Sequence, residues 1–192
     1  AEPNDYVKKL LAYAATEKSP VVQICGKIES EIATLSREER AKRLEMAFGR
    51  LAGMQQLGGG FGMWSASNPY EAWLSAYVTG FLQDARDAGF AVPEALQKKA
   101  MTALLEQFQR SPGLQTRLPK LLRRDPQGNL VDGSEIEVVR MAHQRLSEAA
   151  HAGYILAREQ KAPLATLRTL HDDYRTNARS PLALIHLGLT LK

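Results

Sequence analysis

The stretch from Gln55 to Trp64 reads Gln-Gln-Leu-Gly-Gly-Gly-Phe-Gly-Met-Trp, and it limits the folds open to this chain more than any other part of the sequence. Three consecutive glycines reach backbone angles closed to other residues, while Phe61 and Trp64 are large apolar anchors. The combination predicts a fixed corner pinned onto a core. Beyond it, Asn68 suits an N-cap and Pro69 the first helical position, so a helix is expected to start there. Trp73, Tyr77 and Phe81 recur every four residues and share one face of that helix, which is assigned to the core. Gly89 suits the residue just past the helix end, and Pro93 opens the next helix.

Helical periodicity continues on both sides of the corner. Tyr6, Leu10 and Tyr13 lie on one stripe within Asp5–Thr16, and Ser19-Pro20 opens a run carrying Val21, Ile24, Cys25, Ile28 and Ile32. Ser36-Arg37-Glu38-Glu39 fits a capping box, and the helix it starts is expected to bury Leu44, Ala47, Phe48 and Leu51. After Pro93 the apolar positions are Leu96, Ala100, Met101, Leu104, Leu105 and Phe108, with Ser111-Pro112-Gly113 expected to end the helix. Residues 112–133 hold Pro112, Pro119, Pro126 and three glycines, the basic run Arg117, Lys120, Arg123 and Arg124, and an Asp125-Pro126-Gln127-Gly128-Asn129 turn. A short helix near Leu118–Arg123 is expected in this loop, since long structureless loops are uncommon. Ser134 is expected to cap a helix through Val138, Met141, Ala142, Leu146, Ala149 and Ile155 to about Gln160, Pro163 to start another, and Ser180-Pro181 the last. No strand pattern of useful length is visible. The fold class read from these patterns is all-α, with about eight helices in consecutive antiparallel pairs that favour a curved stack of helical hairpins.

Four segments carry a resemblance. They are Met54-Gln55-Gln56 with Gly59-Gly60-Phe61-Gly62-Met63-Trp64, then Trp73-Leu74-Ser75-Ala76-Tyr77-Val78 and Gly89 to Ala95, and then Ala152–Lys192 with Leu156-Ala157-Arg158-Glu159-Gln160-Lys161-Ala162-Pro163-Leu164. In this order they resemble the thioester domain of bacterial α2-macroglobulins over roughly two thirds of the chain. The resemblance implies an α/α toroid, incomplete here because a full ring needs more helices. Residues 1–192 would be one thioester-like domain within a longer periplasmic protein, and any membrane anchor would lie outside these residues. That protein would trap proteases after they cut a bait region elsewhere. Its partners would be the other domains of the same chain and the captured proteases. The structural signature is Gly59, Gly60, Phe61, Gly62, Trp64, Trp73 and Tyr77.

Members with a reactive site carry Cys-x-Glu-Gln, whose glutamine acylates the cysteine sulfur. Here the lone cysteine stands in Cys25-Gly26-Lys27-Ile28, and isoleucine has no acyl group to give. Glu29 is one residue too far and Gln23 lies on the wrong side. No thioester forms within these residues on this reading, and Cys25 is a buried small hydrophobe. The motif is either lost or stands upstream of residue 1.

Other chemistry finds little support. One cysteine excludes an intramolecular disulfide framework and a multi-cysteine metal site. His143, His151, His171 and His186 lack metal-ligand spacing, so no metal and no cofactor is expected. Asp84 and Asp87 share a run with Gln83 and Arg86 that reads as a solvated face, and Asp172 and Asp173 are adjacent. No nucleophile elbow is present, so the chain is read as no enzyme. Two alternatives remain: a toroid-type enzyme of the glycosidase or terpenoid-cyclase kind, which needs Asp84 and Asp87 to converge with another carboxylate, and a helical protein-interaction module. The formal charge of +4 is mild for 192 residues and names no nucleic-acid partner, and no apolar run reaches the length of a membrane span.

Overall fold

The structure is a computed structural model and describes residues 13, 34–116, 122–124, 126–127, 130–132 and 135–191. The expected helices at 5–16 and 20–32, Cys25, Arg117, Lys120 and the Ser134 cap lie outside the described residues. Residues 1–42 and 43–192 form two compact units. In the first, the capping box forms as its residue types require. The Ser36 amide donates to Glu39 Oε2 at 2.8 Å and the Glu39 amide to Ser36 Oγ at 3.2 Å. It opens helix α1 (Arg37–Met54).

The helices that follow are α2 (Ala72–Asp87), α3 (Glu94–Thr116), α4 (Glu135–Ala157), α5 (Leu164–Tyr174) and α6 (Pro181–Thr190), with a 3-10 turn at Arg175–Asn177. Ser180 precedes Pro181 at the start of α6, and Pro163 precedes α5, where the sequence places them. Gly89 has φ 78° just beyond α2, the left-handed geometry that closes a helix.

Three expectations are corrected. Helix α2 starts at Ala72, not at Pro69, because Asn68 and Tyr70 are held by the corner described below. Helix α3 runs through Pro112 and Gly113 to Thr116. A helical proline leaves the carbonyl four residues back without its amide donor. Here that carbonyl is Phe108 O, and the buried Ser111 hydroxyl donates to it at 2.7 Å, so the turn survives. The loop after α3 contains an antiparallel ribbon, β1 (Leu122–Arg124) with β2 (Leu130–Asp132), in register Leu122 with Asp132. Leu122 and Arg123 are therefore extended and not helical, and Pro126-Gln127 form the turn between the strands.

The core has two parts. The larger is centred on α4, which packs against α2, α3, α5 and α6, most extensively against α6. Leu104, Phe108, Leu146, Leu156 and Leu170 are fully buried there, each worth about 1.5–3 kcal/mol of transfer free energy. Ala149, Ala150 and Ala152 keep α4 slim enough for its neighbours to approach. The smaller part joins Phe48, Phe61, Val78, Leu82, Leu96 and Ala100. Of the α1 positions expected inside, Phe48 is buried, while Leu44, Ala47 and Leu51 are half-buried.

Candidate functional site

The corner is built by side chains that bond to its backbone. Gln55 Nε2 donates to Gly59 O and to Leu96 O, both at 3.0 Å, tying the turn to α3. Gln56 Nε2 donates to Asn68 O at 2.6 Å, and the Gln56 amide to Gly60 O at 2.9 Å. The Phe61 amide donates to the buried Ser75 hydroxyl at 3.0 Å, and the Glu71 amide returns to Phe61 O at 3.0 Å. Isolated bridges pair Gln55 with Phe61 and Gly62 with Tyr70.

Gly59 has φ 91°, and a Cβ there would run into the Lys99 carbonyl, so position 59 admits glycine alone. At Gly60 a Cβ would strike the Tyr70 ring, and at Gly62 it would meet Ser65 O at 2.7 Å. Phe61 is 1% exposed and anchors the turn. Burial pushes the Tyr70 phenol up to about 12, with the Ser75 hydroxyl working against that shift and Glu148 adding to it.

The aromatic residues of the signature do not share one fate. Trp64 is 81% exposed, Trp73 43% and Tyr77 65%, which overturns their assignment to the core. The spacing is right, since Trp73, Tyr77 and half-buried Phe81 do share a face of α2. The buried face of α2 is instead the one carrying Ser75, Ala76, Thr79, Leu82 and Gln83, where the small side chains of Ser75, Ala76 and Thr79 let the helix lie close to its neighbours. Thr79 Oγ1 donates to Ser75 O at 2.7 Å, and Gln83 Nε2 donates to Ile155 O at 3.1 Å, while Gln83 Oε1 is buried without a hydrogen-bond partner among the described residues. The sequence by itself assigns no bonding role to Gln55, Gln56 and Ser75 and marks Asn68 as an N-cap, although the glutamine pair ahead of three glycines is a usable signal for such a role. A carbonyl-rich turn needs nearby donors, and glutamine amides supply them.

Asp84 and Asp87 are exposed and paired: Arg158 reaches Asp84 at 2.7 Å and Asp87 at 3.1 Å, and Arg86 reaches Asp87 at 2.8 Å. Arg86 holds the Asp87 carboxyl below its ordinary value. This is the solvated face read from the sequence. His171 bonds its neighbour Asp172 at 2.7 Å, and His143 Nδ1 accepts the Arg179 amide at 3.1 Å. His186 of α6 stacks between His151 and Tyr154 of α4, with ring centroids 5.0 and 5.3 Å apart. Sequence spacing along α4 had no means of finding that stack. Among the described residues no group of three or more His, Cys, Asp or Glu is placed to hold a metal ion, and no helix is long and apolar enough to cross a membrane.

Residues 20–150 match the model of the A-macroglobulin TED domain. The chain belongs to this family. It is 40% identical over 153 residues to the α2-macroglobulin of Xylella fastidiosa Temecula1, covering 80% of this chain and 8% of that protein. It is 32% identical over 157 residues to the Escherichia coli K12 α2-macroglobulin, covering 82% and 8%. The chain thus spans about 8% of the length of these curated relatives. Among solved structures, native E. coli α2-macroglobulin from cryo-EM aligns with a TM-score of 0.64 at 30% identity, over 82% of this chain and 9% of that one. Salmonella α2-macroglobulin reacted with methylamine aligns with a TM-score of 0.64 at 31% identity, over the same shares. The family expectation and the mostly helical architecture are thereby borne out for this TED domain.

Proposed function

We propose that this TED domain serves a bacterial α2-macroglobulin that traps proteases in the periplasm, and that it does so without a thioester within these residues. The carrying observation is the family match, which spans residues 20–150 and so includes the whole fastened corner. Solved relatives support the protease link: structures exist of E. coli α2-macroglobulin activated by trypsin and by porcine elastase. Residues 1–192 act on this reading as one domain of a longer protein, part of an α/α toroid. The domain works as a rigid block that moves when the protein is cleaved. Its partners are the other domains of its own chain and the captured protease, and it performs no catalysis itself.

The test takes the longest natural form of the protein and incubates it with an elastase-like protease. Activity is then assayed on a small chromogenic peptide and on a large protein substrate. Retained peptide cleavage with lost protein cleavage is expected of a cage. Equal activity on both substrates would sink the trapping reading. For the thioester, methylamine treatment of the 192-residue chain should add no mass and free no thiol, since Ile28 stands where an acyl-donating glutamine is required.

A further inference from the structure

Two of the four histidines lie beside a hydrogen-bonding partner, and two meet ring to ring. His171 bonds Asp172, and His143 Nδ1 accepts the Arg179 amide. His151 and His186, both half-buried, instead stack on each other across the α4–α6 contact, with centroids 5.0 Å apart and planes inclined by 20°. The Tyr154 ring stacks on His186 as well, at 5.3 Å and 13°. Imidazole nitrogens donate and accept within the plane of their own ring, so two stacked rings cannot hydrogen-bond each other and cannot share a proton.

The charged groups around the stack are engaged elsewhere. On α4, Arg158 reaches Asp84 and Asp87 of α2, and Glu148 accepts Gln144 Nε2 at 2.9 Å. On α5, Asp172 is with His171, Asp173 is exposed, and the Tyr174 ring packs against the shared core. Arg175 donates to His171 O at 3.2 Å, and Arg179 to Thr176 O at 3.1 Å. Helix α6, Pro-Leu-Ala-Leu-Ile-His-Leu-Gly-Leu-Thr, has no acidic or basic residue besides His186. Among the described residues no carboxylate acts on either imidazole, and burial favours the neutral form of both.

A proton arriving at either ring therefore finds no counter-charge, and a second proton meets a cation one ring away. Helix α6 is ten residues long and is held by packing, with Ala183 and Leu187 each 1% exposed against α4. A helix that short does not stand in water without such packing. We propose that the His151–His186 stack is a proton-operated latch, which keeps α6 on α4 at neutral pH and releases it in acid while α2, α3 and α4 stay folded. In the released form both rings return to water and to the ordinary imidazole value of about 6.5. That form binds more protons as pH falls below this value, so acid favours release and neutral pH favours closure. Each proton taken up by the released form alone raises its share about tenfold per pH unit.

Amide hydrogen exchange of the longest natural form, read by mass spectrometry at pH 7 and pH 5 and scaled by intrinsic exchange rates, tests the latch. Peptides over residues 181–190 are expected to lose at least about tenfold in protection at pH 5, one proton's worth, while those over 72–87 and 94–116 keep theirs. The His151→Gln/His186→Gln double variant should hold the protection of α6 constant across that range. His186→Phe, which keeps a flat ring on Tyr154 but takes no proton, should do the same and guards against a double variant already open at pH 7. Undiminished protection of α6 at pH 5 would overturn the proposal. So would an equal loss in α2, α3 and α6, which is global unfolding, or an acid loss that persists in His186→Phe.

Discussion

The glycine corner and the α5–α6 end of the molecule are held by different kinds of force. At the corner, four side chains (Gln55, Gln56, Ser75 and Phe61) fix some fifteen residues of loop, three of them through directional bonds to backbone atoms. At the other end, Leu167, Leu170, Ala183 and Leu187 press onto α4 without direction, and the His186 stack and the Arg179 amide on His143 Nδ1 are polar features of that contact. A directional fastening is sensitive to single atoms and indifferent to modest changes in volume elsewhere. A packed face responds to volume and, where imidazoles are buried in it, to pH. The outer sides differ as well: α6 presents Leu182, Leu184, Ile185 and Leu189 at 45–58% exposure, while the corner presents Leu57 and Trp64.

Substitutions can break this contrast in order of effect. The largest losses should come where both regions depend on burial: Phe61→Ala at the corner by about 3–5 kcal/mol and Leu187→Ala on α6 by about 2–5 kcal/mol, read from urea unfolding. If Phe61→Ala cost less than Ser75→Ala, the corner would be held by its bonds alone. Ser75→Ala should cost about 1–3 kcal/mol, because it leaves the buried Phe61 amide unpaired, and Ser75→Cys should recover little of that since a thiol is a weak acceptor.

The pH response should separate the two ends. Burial pushes His151 and His186 below the ordinary imidazole value of about 6.5, and His186 lowers His151 further. The folded state therefore prefers both rings neutral. Their contribution is complete above about pH 6.5 and is lost as pH falls below it, because the unfolded chain then binds more protons. Melting temperature should drop between pH 7 and pH 5, and His151→Phe/His186→Phe should flatten that drop. A slope unchanged in the double variant would place the pH response elsewhere. The smallest effect belongs to Trp64→Ala, expected within about 0.5 kcal/mol because the ring is exposed.

Much of the local structure was legible in the sequence. Periodicity marked the apolar positions of α3 and α4, the Ser36–Glu39 box and Pro181 marked helix starts, and Gly89 marked a stop, because each depends on atoms within one or two turns. The same local logic failed where a distant group intervened. Asn68-Pro69 has the residues of a helix start, but Gln56 claims Asn68 for the corner. Pro112 has the residues of a helix stop, but Ser111 supplies the missing donor while α3 stays packed on α4. The ribbon at 122–132 is too short for alternation to signal.

The sequence by itself therefore determined the helices, the need for glycine at the corner and the absence of an acyl donor three residues after Cys25. Only the tertiary structure decided which face of α2 turns inward. Periodicity groups Trp73, Tyr77 and Phe81 on one side, but it cannot weigh that side against Ser75, Thr79 and Gln83. The close approach of α3 and α4 favours small side chains such as Ser75 and Thr79, whose hydroxyls find partners, and it leaves the larger rings to the surface.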